Sequence, residues 1–163
     1  MVNKLLETSQ NKNILALQID TATSPENLIT QVEKIAKVLK KEEEALLWKK
    51  QFLARLTGLH AKLSAFSGKR AVVHLQAQPF SRWAGLSIVQ VIRSGELPPK
   101  AIADAVAKSP DLVVDILHFP TAKTIAENAK CGYVQVINFP GVENTKTLED
   151  IFDYNVTQLL RAF

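Results

Sequence analysis

The sequence predicts an α/β protein: a three-layer lobe of βαβ repeats around a parallel sheet, preceded by a long helix. Two observations carry the prediction. Between residues 69 and 163, apolar runs of strand length alternate with helical stretches, and strands separated by helices of this length imply crossover connections and a mostly parallel sheet. Before them, residues 25–67 repeat apolar side chains three and four apart, the period of a helix. A chain of 163 residues, 47% hydrophobic and 22% charged, is also long enough to bury roughly 70% of its unfolded surface around a core.

Residues 1–24 contain a short amphipathic piece around Val2, Leu5 and Leu6, then an apolar run of strand length at 13–19, closed by Asp20-Thr21-Ala22-Thr23. A helix should start at Ser24-Pro25-Glu26-Asn27, because Ser24 is a natural N-cap and Pro25 suits the first helical position. Leu28, Val32, Ile35, Ala36 and Leu39 share one face of it. The block Lys40-Lys41-Glu42-Glu43-Glu44 interrupts the pattern and reads as a solvated junction. A second stripe follows through Ala45, Trp48, Phe52, Leu56, Leu59, Leu63 and Phe66, and Gly68 closes the zone. Beyond it, strands are expected at 71–75, 87–92, 112–117 and 133–137, with helical segments at 79–84, 99–108, 121–130 and 147–162.

Composition excludes several classes. A lone Cys131, with no C-x-x-C pair, removes a disulfide framework and a structural zinc ladder, and its setting before Gly132 reads as a small buried hydrophobe. Neither a dinucleotide fingerprint nor a phosphate-binding Gly-rich Lys loop is present, and Ser64-Ala65-Phe66-Ser67-Gly68 lacks the nucleophile elbow. Net charge is +4, but the basic residues are spread along the chain and form no nucleic-acid patch. Trp48 and Phe52, at i and i+4, read as core rather than a base-stacking platform, and His60 as a surface or boundary side chain. No apolar run approaches a membrane span, so no membrane insertion is expected, and residues 1–12 lack the apolar stretch of a signal peptide.

In open parallel sheets ligands sit outside the carboxyl ends of the strands. The polar residues expected there are His74, Asp115, His118 and Asn138. Either histidine alone reads most simply as a hydrogen-bonded strand-end side chain. Two of them beside a carboxylate, on neighbouring strand ends, make a candidate for a divalent metal.

The stretch from Gly68 to Leu86, with His74-Leu75-Gln76-Ala77-Gln78-Pro79-Phe80-Ser81-Arg82-Trp83 at its centre, resembles the strand, ligand and aromatic turn of the TroA-like (cluster A-I) zinc and manganese solute-binding proteins of ABC transporters. Val89 to Lys100 is similar to that family's strand and Pro-containing loop, Val113-Val114-Asp115 to its strand ending in a carboxylate, and Phe152 to Leu160 to its closing helix. Ser24-Pro25-Glu26-Asn27 resembles the start of the family's backbone helix. The resemblance implies that residues 1–24 are a remnant of a first lobe, otherwise largely missing from this chain. Residues 25–67 would be the spine, a break at 40–44 being left open, and residues 68–163 the C-terminal lobe.

It also implies a site. His74 falls on the family's third metal ligand, Asp20 stands where its second His is usual, and Asn138 stands where its closing Asp is usual. Asp115 and His118 would have to complete a set for Zn or Mn. The implied role is capture of a divalent metal or a metal chelate for an ABC permease, outside the cytoplasm and without catalysis. Two other readings stand beside it. One is an interaction scaffold that has lost metal binding and forms a homodimer or pairs with a partner supplying the missing lobe. The other is a small metal-dependent enzyme using His74, His118 and Asp115.

Overall fold

A computed structural model describes residues 14–162. The expectations for residues 1–13, including the amphipathic piece at Val2 to Leu6, lie outside the described residues. Four strands form a parallel sheet: β1 (Arg70–His74), β2 (Ser87–Ile92), β3 (Leu112–Ile116) and β4 (Gly132–Val136), in the spatial order β2-β1-β3-β4. Each strand alternates its side chains between two covered faces. Ala71, Val73, Leu112, Val114 and Ile116 point into one core, while Val72 and Val113 point into the other. Burial on both faces is what permits a parallel sheet with near-continuous apolar strands.

The larger core is closed by α1 (Pro25–Leu39), α2 (Glu42–Ala61), α3 (Gln78–Trp83) and α6 (Leu148–Leu160). The smaller one packs under α4 (Pro99–Ala107) and α5 (Lys123–Ala129). The result is the three-layer α/β lobe expected from the alternation of strands and helices. Phe52, Phe80 and Phe152 are fully buried at the centre of the larger core, Phe52 and Phe152 meeting edge to face at 5.6 Å.

The helical zone is two helices. α1 starts as the cap predicts, Ser24 Oγ accepting from the Asn27 N–H at 3.3 Å with Pro25 at the first position. It stops at Lys40, which turns left-handed (φ 56°), and the Lys41 N–H donates to the Ala36 carbonyl at 2.9 Å. α2 then folds back against α1. Lys49 Nζ meets Glu33 Oε1 at 2.7 Å, whereas a straight helix would hold residues sixteen apart about 24 Å from each other. Two stripes of apolar residues each need the same core, and only a bend lets both reach it: Leu28 from α1 and Phe52, Leu56 and Leu59 from α2 share one cluster.

One expectation fails. Residues 14–19 are in no strand, and Ile14, Leu15 and Ile19 are exposed. A strand needs a neighbour to pair with, and this segment runs along α1 instead, with the Asp20 N–H donating to Gln31 Oε1 and the Gln18 carbonyl accepting from Lys34 Nζ. The remaining elements fall within a few residues of their expected bounds.

The end of β4 is locked to α6. Asn155, buried without exposure, accepts from the Ile137 N–H and donates to the Ile137 carbonyl, both at 2.8 Å. Asn155→Leu removes both bonds and strands two buried backbone groups. The expected cost is about 2–4 kcal/mol, read as a lower denaturant midpoint at unchanged slope; an unchanged midpoint would mean the Ile137 backbone finds other partners.

Candidate functional site

The strand order places a topological switch point between β1 and β3: from β1 the chain moves outward to β2, then returns across β1 to β3. Ligand crevices in open α/β sheets form outside the carboxyl ends of such strands. His74 ends β1, Asp115 lies one residue from the end of β3, and Asn138 follows β4. Of the five residues expected to bind metal, His74, Asp115, His118 and Asn138 thus stand at the expected end of the sheet, and the side chains of His74 and Asp115 are engaged in hydrogen bonds there.

His74 is buried, and its Nδ1 accepts from the Gln76 N–H at 3.2 Å. The neutral ring therefore carries its proton on Nε2, which donates to Ser94 Oγ at 2.9 Å and ties the end of β1 to the loop after β2. Burial pushes the His74 pKa below the usual 6.5, against the opposing pull of the Asp115 charge. Asp115 is wholly buried. One oxygen accepts from the Ile116 N–H, and the other from the Thr121 and Ala122 N–H groups at 2.8 Å and from Tyr133 Oη at 3.1 Å. It shapes the loop leading into α5. Burial, with the adjoining Asp115 charge, in turn pushes the Tyr133 phenol well above its usual range.

His118 stacks on Phe139, ring centroids 4.2 Å apart and planes 11° from parallel. The Asn138 carbonyl accepts from Thr23 Oγ1 at 3.2 Å. Asp20 is exposed and folds one oxygen onto the Ala22 N–H at 2.9 Å. Among the described residues no three His, Cys, Asp or Glu side chains come together to hold a metal ion. Within the trio His74, His118 and Asp115, the first and last brace different loops and His118 stacks on Phe139. Three buried side-chain atoms among the described residues lack a partner: His118 Nε2, Thr121 Oγ1 and Asn138 Oδ1, all on the two loops that follow β3 and β4.

A cleft of about 600 Å3 is bounded on one side by residues 20–27 and on the other by α3, with Asp20, Glu26, Asn27, Gln78, Arg82 and Trp83 in its walls. Thr23 anchors the first wall to the end of β4. The second is stiff: Trp83 packs edge to face on Phe152 at 5.1 Å and against His60 at 5.5 Å. Asn27 Nδ2 spends itself on the Asp20 and Ala22 carbonyls, holding the first wall in shape. Glu26, Gln78 and Arg82 make no side-chain hydrogen bond or ion pair among the described residues, and one Asp20 oxygen is likewise unused. Of the residues singled out from sequence, only Asp20 lines this cleft.

No protein-family model matches the sequence, and no curated protein matches it. Solved structures do. The SBP FpvC from P. aeruginosa in complex with Ni2+ superimposes with a TM-score of 0.73 at 17% identity, over 99% of this chain and 73% of that one. A periplasmic metal-binding protein from Candidatus Liberibacter asiaticus gives 0.68 at 13% identity, over 92% and 68%. FpvC in complex with Mn2+ gives 0.63 at 20% identity, over 87% and 59%. The fold is that of a lobe of periplasmic binding proteins.

The buried, neutral His74 has a pH signature. The unfolded chain takes up a proton on this ring near pH 6.5, the folded chain only at lower pH, so the unfolded state binds more protons in that interval. Stability is therefore expected to fall as pH drops below about 6.5, and His74→Gln to flatten that part of the profile. Thermal melts at about pH 7.5 and about pH 5.5 check this; an equal loss of Tm in the variant would assign the acid sensitivity elsewhere.

Proposed function

We propose that this chain is a non-catalytic solute-binding component of an ABC-type importer, and that its cargo is a divalent metal carried in a chelate. The observation that carries the reading is the cleft between residues 20–27 and α3, whose charged groups are unspent, on a fold shared with solute-binding proteins seen with Ni2+ and Mn2+. A bare ion needs three or more convergent protein donors, and of the residues expected to supply them His74 and Asp115 are committed to backbone groups, to Ser94 and to Tyr133. A chelated ion brings most of its own ligands. Asp20 and Glu26 offer hard oxygens to positions the chelator leaves open, and Arg82 offers a fork of donors to the chelator's carboxylates. Trp83 gives the complex a rigid apolar wall. The permease of such an importer would be the partner, and the place of work outside the cytoplasm.

Calorimetric titration with Ni2+ and with Mn2+, each free and as the citrate complex, tests the reading. Saturable one-site binding of a citrate complex is expected, weakened roughly tenfold or more by Arg82→Ala through loss of a charge-assisted contact. Two results would overturn it. Absence of binding by either form up to about 1 mM would favour an interaction scaffold. Tight binding of the free ion that His74→Ala abolishes and Arg82→Ala spares would favour the ligand set implied by the sequence resemblance.

A further inference from the structure

The helix α2 is apolar beyond the face it buries. Ala45, Phe52, Leu56 and Leu59 are buried in the core, while Leu46, Leu47 and Leu53 stand 68%, 59% and 43% exposed outside it. A surface helix of a globular protein ordinarily keeps that outer face polar. Here the three leucines form an apolar groove of about 560 Å3 together with Glu43, Lys49 and Lys50. The charges around it are sorted along the axis: Glu42, Glu43 and Glu44 occupy the first turn, and Lys49 and Lys50 come two turns later. Lys49 already meets Glu33 within the chain, but neither Glu43 nor Lys50 has an ion-pair partner among the described residues.

We propose that this face is where a second copy of the chain docks, α2 against α2, antiparallel, about a two-fold axis passing between Leu46 and Leu47. In that register Leu46 of one copy stands opposite Leu47 of the other. Glu43 stands opposite Lys50 of the second copy, twice by symmetry, and the leftover acid of one helix start meets the leftover base of the other. A parallel arrangement would set Glu43 against Glu43 and Lys50 against Lys50, so the charge order selects the antiparallel one. A two-fold contact of this kind is self-complementary and closes on itself, covering Leu46 and Leu47 in both copies, while Leu53 faces Lys40 of the second copy at the edge of the contact. The cleft between residues 20–27 and α3 is lined by no residue of α2, so the proposed contact uses none of its lining.

Sedimentation equilibrium of the full chain tests the proposal. The contact is small, so a dimer with a Kd in roughly the micromolar range is expected. Lys50→Glu places Glu against Glu43 at both symmetric positions and should weaken the dimer about tenfold. The double variant Glu43→Lys with Lys50→Glu restores opposite charges across the axis and should recover the parent affinity. All of these side chains are exposed, and unchanged circular dichroism confirms that the fold is intact. A chain that stays monomeric to about 1 mM, a dimer indifferent to Lys50→Glu, or a double variant no better than the single one overturns the proposal.

Discussion

A sheet sealed on both faces leaves its polar chemistry only one outlet. Val72, Val73, Val113 and Val114 are wholly buried between two helical layers, so no side chain from the middle of β1 or β3 can reach a solute. In β1 and β3 polar residues beyond the first position appear only near the carboxyl ends, and there they first have to satisfy the backbone that the end of a sheet leaves unpaired. His74, Asp115 and Asn155 all do this work. Between them they bind the main-chain N–H groups of residues 76, 116, 121, 122 and 137 and fix the three loops that follow β1, β3 and β4.

This demand separates residues that hold the site from residues that are free to act. An imidazole with both nitrogens committed, or a carboxylate with four donors, can take a metal only by giving up bonds that cost about 1–3 kcal/mol each to leave unmade. The groups that face open space without such a commitment are Glu26, Gln78, Arg82 and one oxygen of Asp20. They lie one layer outside the strand ends, on the lead-in to α1 and on α3. Under the proposed function, this position suits a solute large enough to touch both walls of the cleft better than one small enough to sit at a single strand end.

The fold was largely legible in the sequence. Strand and helix periods at 70–160 survive intact because each strand is apolar on both faces and each helix on one, and because Ser24-Pro25 and Thr147 with Asp150 are capping chemistry that works locally. The failures are long-range. Residues 14–19 have the composition of a strand but no neighbour to pair with. Strand-end histidines have the same local pattern whether they ligate a metal or brace a loop, and only the positions of Ser94 and the Gln76 N–H decide for His74. Arg82 and Glu26 carry no signal in one dimension, since their shared cleft depends on Thr23 reaching across 115 residues to the Asn138 carbonyl.

The helical zone makes the same point in the opposite direction. Its apolar spacing is correct for each helix, yet a single straight helix could not have buried both stripes in the core that now holds Leu28 and Leu56. Bending at Lys40 solves that problem and creates another. α1 packs along one flank of α2 and is pinned there by Glu33 and Lys49, the core takes a second flank, and Leu46, Leu47 and Leu53 are left on the remaining one. Nothing in the chain's own fold among the described residues covers them. Their sequence neighbours are Glu43, in the block that the linear pattern read as a solvated junction, and Lys50 beyond it, and the order in which those charges run along the axis is complementary to itself only when a second helix runs the other way. The break that completes the monomer's core is therefore also what presents a face suited to pairing.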